Sequence, residues 1–325
     1  MSDAPIDTEL SSPLGSSAEQ AQILLKYPEL REVITDLERT VTPAFHDADR
    51  DAIRTQQTIK RNRLAEICGS ALVATLAIIG LAQDQWWWGA SAGVLAGLTA
   101  AFAYHGRHQD LNKWLDRRRV AEELRSLYFT SLTSSVDLDS IERRRGLRAA
   151  IDDIISPEFM RAREGRGRPT VPDDQPVRGA AWEVYITSRL ASQITWMDKT
   201  SKRVGDRSRQ LGWIQVGLLA AAAVAGFAIA AFGFAGDSDR TSDIVTWLGV
   251  VVAASAGLVS LAASADGVVA GERLAENYTE TVKRLRNVRR DLDDQAGHTS
   301  DIAEVEWLLL GEHRSWQRIT KEYNS

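Results

Sequence analysis

Apolar residues follow two regimes along this chain. Over Ile67–Ala82, Trp86–Tyr104, Leu211–Ala235 and Ile244–Ala265 they run almost unbroken, and elsewhere they recur every three or four residues among charged ones. A bilayer core needs about 20 apolar residues in helix, so the four runs predict transmembrane spans. The third run has only Gln215 as a strongly polar member, while the first is the shortest and is entered at Glu66. Gln83-Asp84-Gln85 joins the first two runs and Gly236 to Asp243 joins the others, and links this short predict helical hairpins. The expected fold class is therefore all-α: an integral membrane protein of two tandem transmembrane hairpins, four spans in all, with long cytoplasmic helical stalks.

The periodic regions supply the stalks. Leu190, Ile194, Met197, Ser201, Val204, Ser208 and Leu211 alternate steps of four and three, the spacing of a coiled-coil seam. Neither a proline nor a glycine cluster interrupts the chain between Trp182 and the third span, so one helix should pass from stalk into span, although Gly205 and Gly212 lower its local propensity. A second stripe follows the fourth span at Leu274, Tyr278, Val282, Leu285, Val288 and Leu292. The two stripes should pack the stalk helices of one unit together, or pack them against another protomer. Shorter helices are predicted from Tyr27 to Val41 after Pro28, from Ile141 to Ile155, and from Ile302 to Tyr323.

Residues 1–20 are rich in Ser, Pro and Asp and predict disorder. Gly165, Gly167, Pro169, Pro172 and Pro176 mark a linker over 161–180. That leaves a first two-span domain at 21–160 and a second at 181–325. The tail helices share a short match, Arg119-Val120-Ala121-Glu122 with Arg273-Leu274-Ala275-Glu276. The shared plan reads as tandem duplication with both copies in the same orientation.

Charge sets the orientation. The 325-residue chain has a net charge of -5 and a mean hydropathy of -0.22, averages that conceal the four apolar runs. The hairpin links are acidic, with Asp84 in one and Asp237, Asp239 and Asp243 in the other. The opposite flanks are basic, including Lys60, Arg61 and Arg63, then Arg107, Lys113 and Arg117 to Arg119, then Lys199, Lys202, Arg203, Arg207 and Arg209. The positive-inside rule puts both termini and the central region in the cytoplasm of a multi-pass inner-membrane protein. No basic-then-apolar leader precedes the body, so the first span is expected to act as its own uncleaved signal. The acidic balance argues against a nucleic-acid partner. Cys68 is the single cysteine, which excludes a disulfide framework.

Catalytic and cofactor motifs are missing. The sequence has no phosphate-cradling glycine loop, no HExxH, no GxSxG and no EF-hand loop, so neither an enzyme nor a cofactor or metal is expected. Small residues carry the stronger signal. Gly89, Gly93 and Gly97, then Ala222, Gly226 and Ala230, then Gly249, Ala253 and Gly257 recur at four-residue spacing in three spans. Such ridges let helices approach closely in lipid, within a hairpin or between protomers of a homo-oligomer. Thr99, Gln215 and Ser255 are the candidates to line a weakly polar path through such an oligomer. Arg117, Arg118, Arg119 and the run Arg143, Arg144, Arg145 are candidates for acidic lipid headgroups or an anionic ligand.

The polar helix entering a short hairpin, the tight outer loop and a tail helix written Arg119-Val-Ala-Glu-Glu-Leu-Arg-Ser-Leu-Tyr128 together resemble the bacterial SLATT superfamily. These are two-transmembrane effector domains associated with nucleotide-synthesising SMODS and nucleotide-sensing SLOG proteins. The resemblance covers about residues 25–135 and 180–292, and carries over Arg119, Glu122, Arg273 and Glu276 as motif positions. It implies a membrane effector of a conflict or antiphage system, one that oligomerises and perforates or depolarises the inner membrane on a signal from a partner or nucleotide. The alternative is a membrane-anchored scaffold or sensor that recruits cytoplasmic partners through the stalks.

Overall fold

The computed structural model describes residues 12–83, 113–134, 140–156, 179–235, 267–293 and 298–322, with Val94 and Val177; in the apolar parts of the long helices it describes the backbone and a few side chains. Among the described residues the fold is helical throughout, with one isolated bridge between Ser12 and Gly15 and no strand. In order these are α1 (Ser17–Lys26), a 3-10 turn (Pro28–Leu30), α2 (Arg31–Thr40), α3 (Thr42–Gln83), α4 (113–133), α5 (Ser140–Ile155), α6 (Gly179–Val184), a π-helical segment (Tyr185–Ala191), α7 (Ser192–Ala235), α8 (Gly267–Asp293) and α9 (Thr299–Glu322).

The expectation of disorder over residues 1–20 is corrected from Ser12 onward. Gly15 turns the chain at φ +117°, a conformation that a Cβ disfavours. Ser16 and Glu19 then close a reciprocal capping box at the start of α1, satisfying backbone donors that a helix start leaves free. Leu14 is buried and anchors the turn.

The chain divides into two compact units. The first comprises Met1–Thr55, Lys113–Ser201 and Glu276–Ser325. Its core follows from helical periodicity. Leu30, Ile34, Leu37, Val41 and Phe45 form one buried stripe; Leu124, Tyr128 and Leu132 form another on α4; Ile302, Val305 and Leu309 form a third on α9. Spacings of three and four put such residues on one helix face. α5 docks onto α2 through Asp36, whose carboxylate accepts from Arg143 at 3.1 Å and lies 3.6 Å from Arg144.

The predicted seam between the stalks lies within the chain. Leu190, Ile194, Met197, Ser201 and Ser208 are buried on one side, and Tyr278, Val282, Leu285 and Leu292 on the other. Trp196 meets Tyr278 edge to face at 5.7 Å between ring centroids. Ser201 and Thr279 share a hydrogen bond of 2.8 Å, and Arg286 pairs with Asp198 at 3.3 Å.

The second unit comprises Gln56–Asn112 and Lys202–Ala275. α3 and α7 continue without a break into the first and third apolar runs, to Gln83 and Ala235. At 1.5 Å per residue each is about 65 Å long. Leu64, Leu72, Trp213, Ile214, Val216 and Val224 are all at least half exposed. Among the described residues no helix is long and apolar enough to cross a membrane. The side chains of most of the first and third runs, and all but Val94 of the second and fourth, lie outside the described residues.

Candidate functional site

The first unit holds a network of charges in its core. It starts where α6 widens into the π-helical segment Tyr185–Ala191, a form of backbone concentrated at functional positions. That segment carries Tyr185 and Arg189, both essentially inaccessible to solvent. Arg189 donates from Nε to Glu306 Oε1 at 2.9 Å and from Nη2 to Glu306 Oε2 at 2.9 Å. The Tyr185 hydroxyl donates to the same Glu306 Oε1 at 3.1 Å. Paired forks of this kind are the strongest side-chain hydrogen bonds, because both partners are ionised and the geometry is planar.

The network continues onto α4 and α3. Arg189 Nη1 reaches Glu122 Oε2 at 3.5 Å. Glu122 Oε1 accepts from Arg125 at 2.9 Å and lies 2.9 Å from Arg118. Arg118 also donates to Asp49 at 3.2 Å. One carboxylate, Glu122, is thus approached by three guanidiniums. Aromatic faces complete the shell: Arg125 sits 4.9 Å from the Phe45 ring centroid and Arg189 sits 5.7 Å from that of Phe129.

Burial acts differently on the two inner arginines. Burial works against the Arg189 charge, but the Glu306 carboxylate outweighs it and holds the guanidinium above its ordinary pKa. For Arg125, burial prevails; Glu122 opposes it, while Arg118 and Arg189 add to it, and the pKa falls below the ordinary value. Burial, assisted by Glu306, holds the Tyr185 hydroxyl well above its usual range. Burial and Glu38 do the same for Tyr128, whose hydroxyl donates to Glu38 at 2.8 Å.

A cleft of about 540 Å³ borders this network, lined by the N-terminal turn and α1 on one side and by Arg125, Arg189 and the start of α7 on the other. Lys26 of α1 forms an ion pair with Glu183 of α6, and both line the cleft.

Most arginines singled out from the sequence are held by the protein's own carboxylates. Arg117 pairs with Asp51 at 2.6 Å, Arg118 with Asp49 and Glu122, Arg119 lies 3.9 Å from Glu123, and Arg143 and Arg144 share Asp36. Arg145 is exposed. The motif positions diverge between the two tail helices. Arg119 and Glu122 are buried, whereas Arg273 and Glu276 are exposed. α4 buries two faces, so its motif lies inside; the matching face of α8 is open. Gly89, Gly93, Gly97, Ala222, Gly226, Ala230, Gly249, Ala253, Gly257, Thr99, Gln215 and Ser255 lie outside the described side chains.

Sequence reasoning missed Arg189, Glu306, Arg125 and Asp49. The available signal was a charge on an apolar face. Glu306 falls between Val305 and Leu309 in the buried stripe of α9, and Arg189 precedes Leu190 at the head of the seam.

Comparison with curated proteins and with solved structures finds no significant match. Residues 185–316, which begin at the π-helical segment and take in Arg189, α7, α8 and Glu306, match the family model described as SMODS and SLOG-associating 2TM effector domain 1 (SLATT_1).

Proposed function

We propose that the protein is a membrane effector of a bacterial conflict or antiphage system, whose apolar helices oligomerise into a gated pore, or otherwise breach the inner membrane, when a partner or a nucleotide signal arrives. The observation that carries this reading is the outward exposure of large apolar side chains on two helices of about 65 Å. Trp213 is 69 % exposed and Val224 is 71 % exposed on α7, which continues to Ala235 through an apolar run. Patches of that kind mark surfaces covered by lipid or by another protein. The family description, a 2TM effector domain, supports the same reading. The tandem arrangement of two such domains, with both termini cytoplasmic, rests on the four apolar runs and their basic flanks.

The scaffold alternative has less surface to work with. Met197 and Leu285, at the centre of the stalk stripes, are already buried within the chain.

Induced expression in cells loaded with a potential-sensitive dye tests the proposal. Under the activating condition the potential should collapse, and Gly93→Leu or Gly226→Leu should prevent the collapse by filling the helix-packing ridges. Abundant protein with an intact potential would sink the pore reading. A reporter fused at Gln83 or Gln85 that is accessible only from the periplasm would support the hairpin topology.

A further inference from the structure

The cleft beside the charge network carries chemistry that the effector reading does not use. At about 540 Å³ it lies in the size range of small-molecule sites. Its lining combines three elements that structural packing alone does not require together. The first is Arg125, whose side chain is 20 % exposed and borders the cleft. Its carboxylate partner, Glu122, is shared with Arg118 and Arg189. Asp49 and Glu306 serve those two arginines in turn. The second is a polar wall that carries Lys26 and Ser188 together with Glu19 and Glu183. The third is Trp196, which lines the same cleft while 45 % exposed. A large aromatic surface left open in the same cleft as a partly buried cation is an arrangement suited to a flat apolar body with an anionic end.

We propose that this cleft binds a small soluble molecule in which a flat ring carries a phosphate or carboxylate, with the oxyanion on Arg125 and Lys26 and the ring against Trp196. The oxyanion gives Arg125 a second anionic partner beside Glu122. Lys26 exchanges Glu183 for the ligand, so the ion pair between α1 and α6 opens as the site fills. The inference concerns the first unit alone, so its failure leaves the effector reading standing, and the converse also holds.

The test uses full-length protein in nanodiscs of neutral lipid and phenyl phosphate as the probe, followed by saturation-transfer NMR. Saturable transfer to the ring protons is expected, with none to benzyl alcohol at the same concentration. Trp196→Ala and Lys26→Ala, both at exposed side chains, should each raise the Kd for phenyl phosphate at least fivefold, and Arg125→Gln should raise it further if that variant folds. The proposal is overturned by the absence of saturable binding to wild-type protein, by unchanged Kd in Trp196→Ala and Lys26→Ala, by equal binding of benzyl alcohol, or by displacement of the probe when anionic lipid replaces neutral lipid.

Discussion

Arg189 and Glu306 stand 117 residues apart in the chain and meet through two parallel hydrogen bonds, each of 2.9 Å, with almost no access to water. The contact joins the π-helical segment ahead of α7 to the last described helix. Removing one partner leaves a buried charge without compensation, which typically costs 3–5 kcal/mol. Glu306→Leu and Arg189→Met should each destabilise the protein on that scale, about 3 to 5 kcal/mol. The double variant Arg189→Met/Glu306→Leu should recover most of the loss, because it buries no unpaired charge. Denaturant unfolding of the four proteins in detergent checks this. Additive losses in the double variant would mean that the two residues act separately.

Tyr185 and Tyr128 predict a specific alkaline limit. Burial, together with Glu306 and Glu38, raises both above the ordinary tyrosine pKa of 10.0. The sign follows from linkage: a raised folded-state pKa gives stability that is full below the unfolded value and is lost as pH rises toward the folded value. Each tyrosine should therefore contribute a fall of about 1.4 kcal/mol per pH unit above pH 10. Unfolding free energy measured from pH 8 to 11 should be flat at first and then drop, with a shallower drop in Tyr185→Phe. A drop of the same slope in that variant would overturn the assignment to Tyr185.

How much of this fold was legible depended on whether side-chain spacing was the deciding variable. The stalk seam from Leu190 to Ser208 and the stripe from Tyr278 to Leu292 lie where their spacing put them, because burial of apolar faces drives helix packing. The helices at Arg31–Thr40, Ser140–Ile155 and Thr299–Glu322 follow for the same reason. The N-terminal segment misled because its composition was weighed over its local grammar. Ser16 and Glu19 spell a capping box, and Leu14 before them is an apolar anchor. The charge network was hidden for a different reason. Arg125, Arg189 and Glu306 come from three distant stretches, and each alone reads as one of many charges in a chain with 39 basic and 44 acidic residues. Only tertiary packing identifies which of them share a site, and nothing in the residues Tyr185–Ala191 announces a π-helical segment.

The N-terminal turn should be sensitive to a single methyl group. A Cβ at Gly15 would collide with Glu19 Oε2, and its residue would have to adopt the positive φ. Gly15→Ala should cost on the order of 1–2 kcal/mol locally and break the capping contact of Glu19. The expected result is faster tryptic cleavage at Lys26 with little change in global unfolding. An unaltered cleavage rate would mean that the turn does not hold α1 in place.

Gly205 predicts the opposite sign. It lies inside α7, and a Cβ built on it would sit 3.7 Å from the Ala275 Cβ, an ordinary van der Waals distance. Glycine within a helix is less favourable than alanine by about 0.5–1 kcal/mol, because it loses more backbone freedom on folding. Gly205→Ala should therefore raise stability by roughly that 0.5–1 kcal/mol and add a methyl contact between α7 and α8. Gly205→Leu should lower stability, since its longer side chain must displace Ala275 and separate the helices. If the resting state depends on that close approach, the leucine variant should also collapse membrane potential without the activating signal, while the alanine variant should respond as wild type. Melting temperatures in detergent and dye measurements in induced cells distinguish these outcomes. A leucine variant that is as stable as wild type would show that α7 and α8 do not need to pack closely at this level.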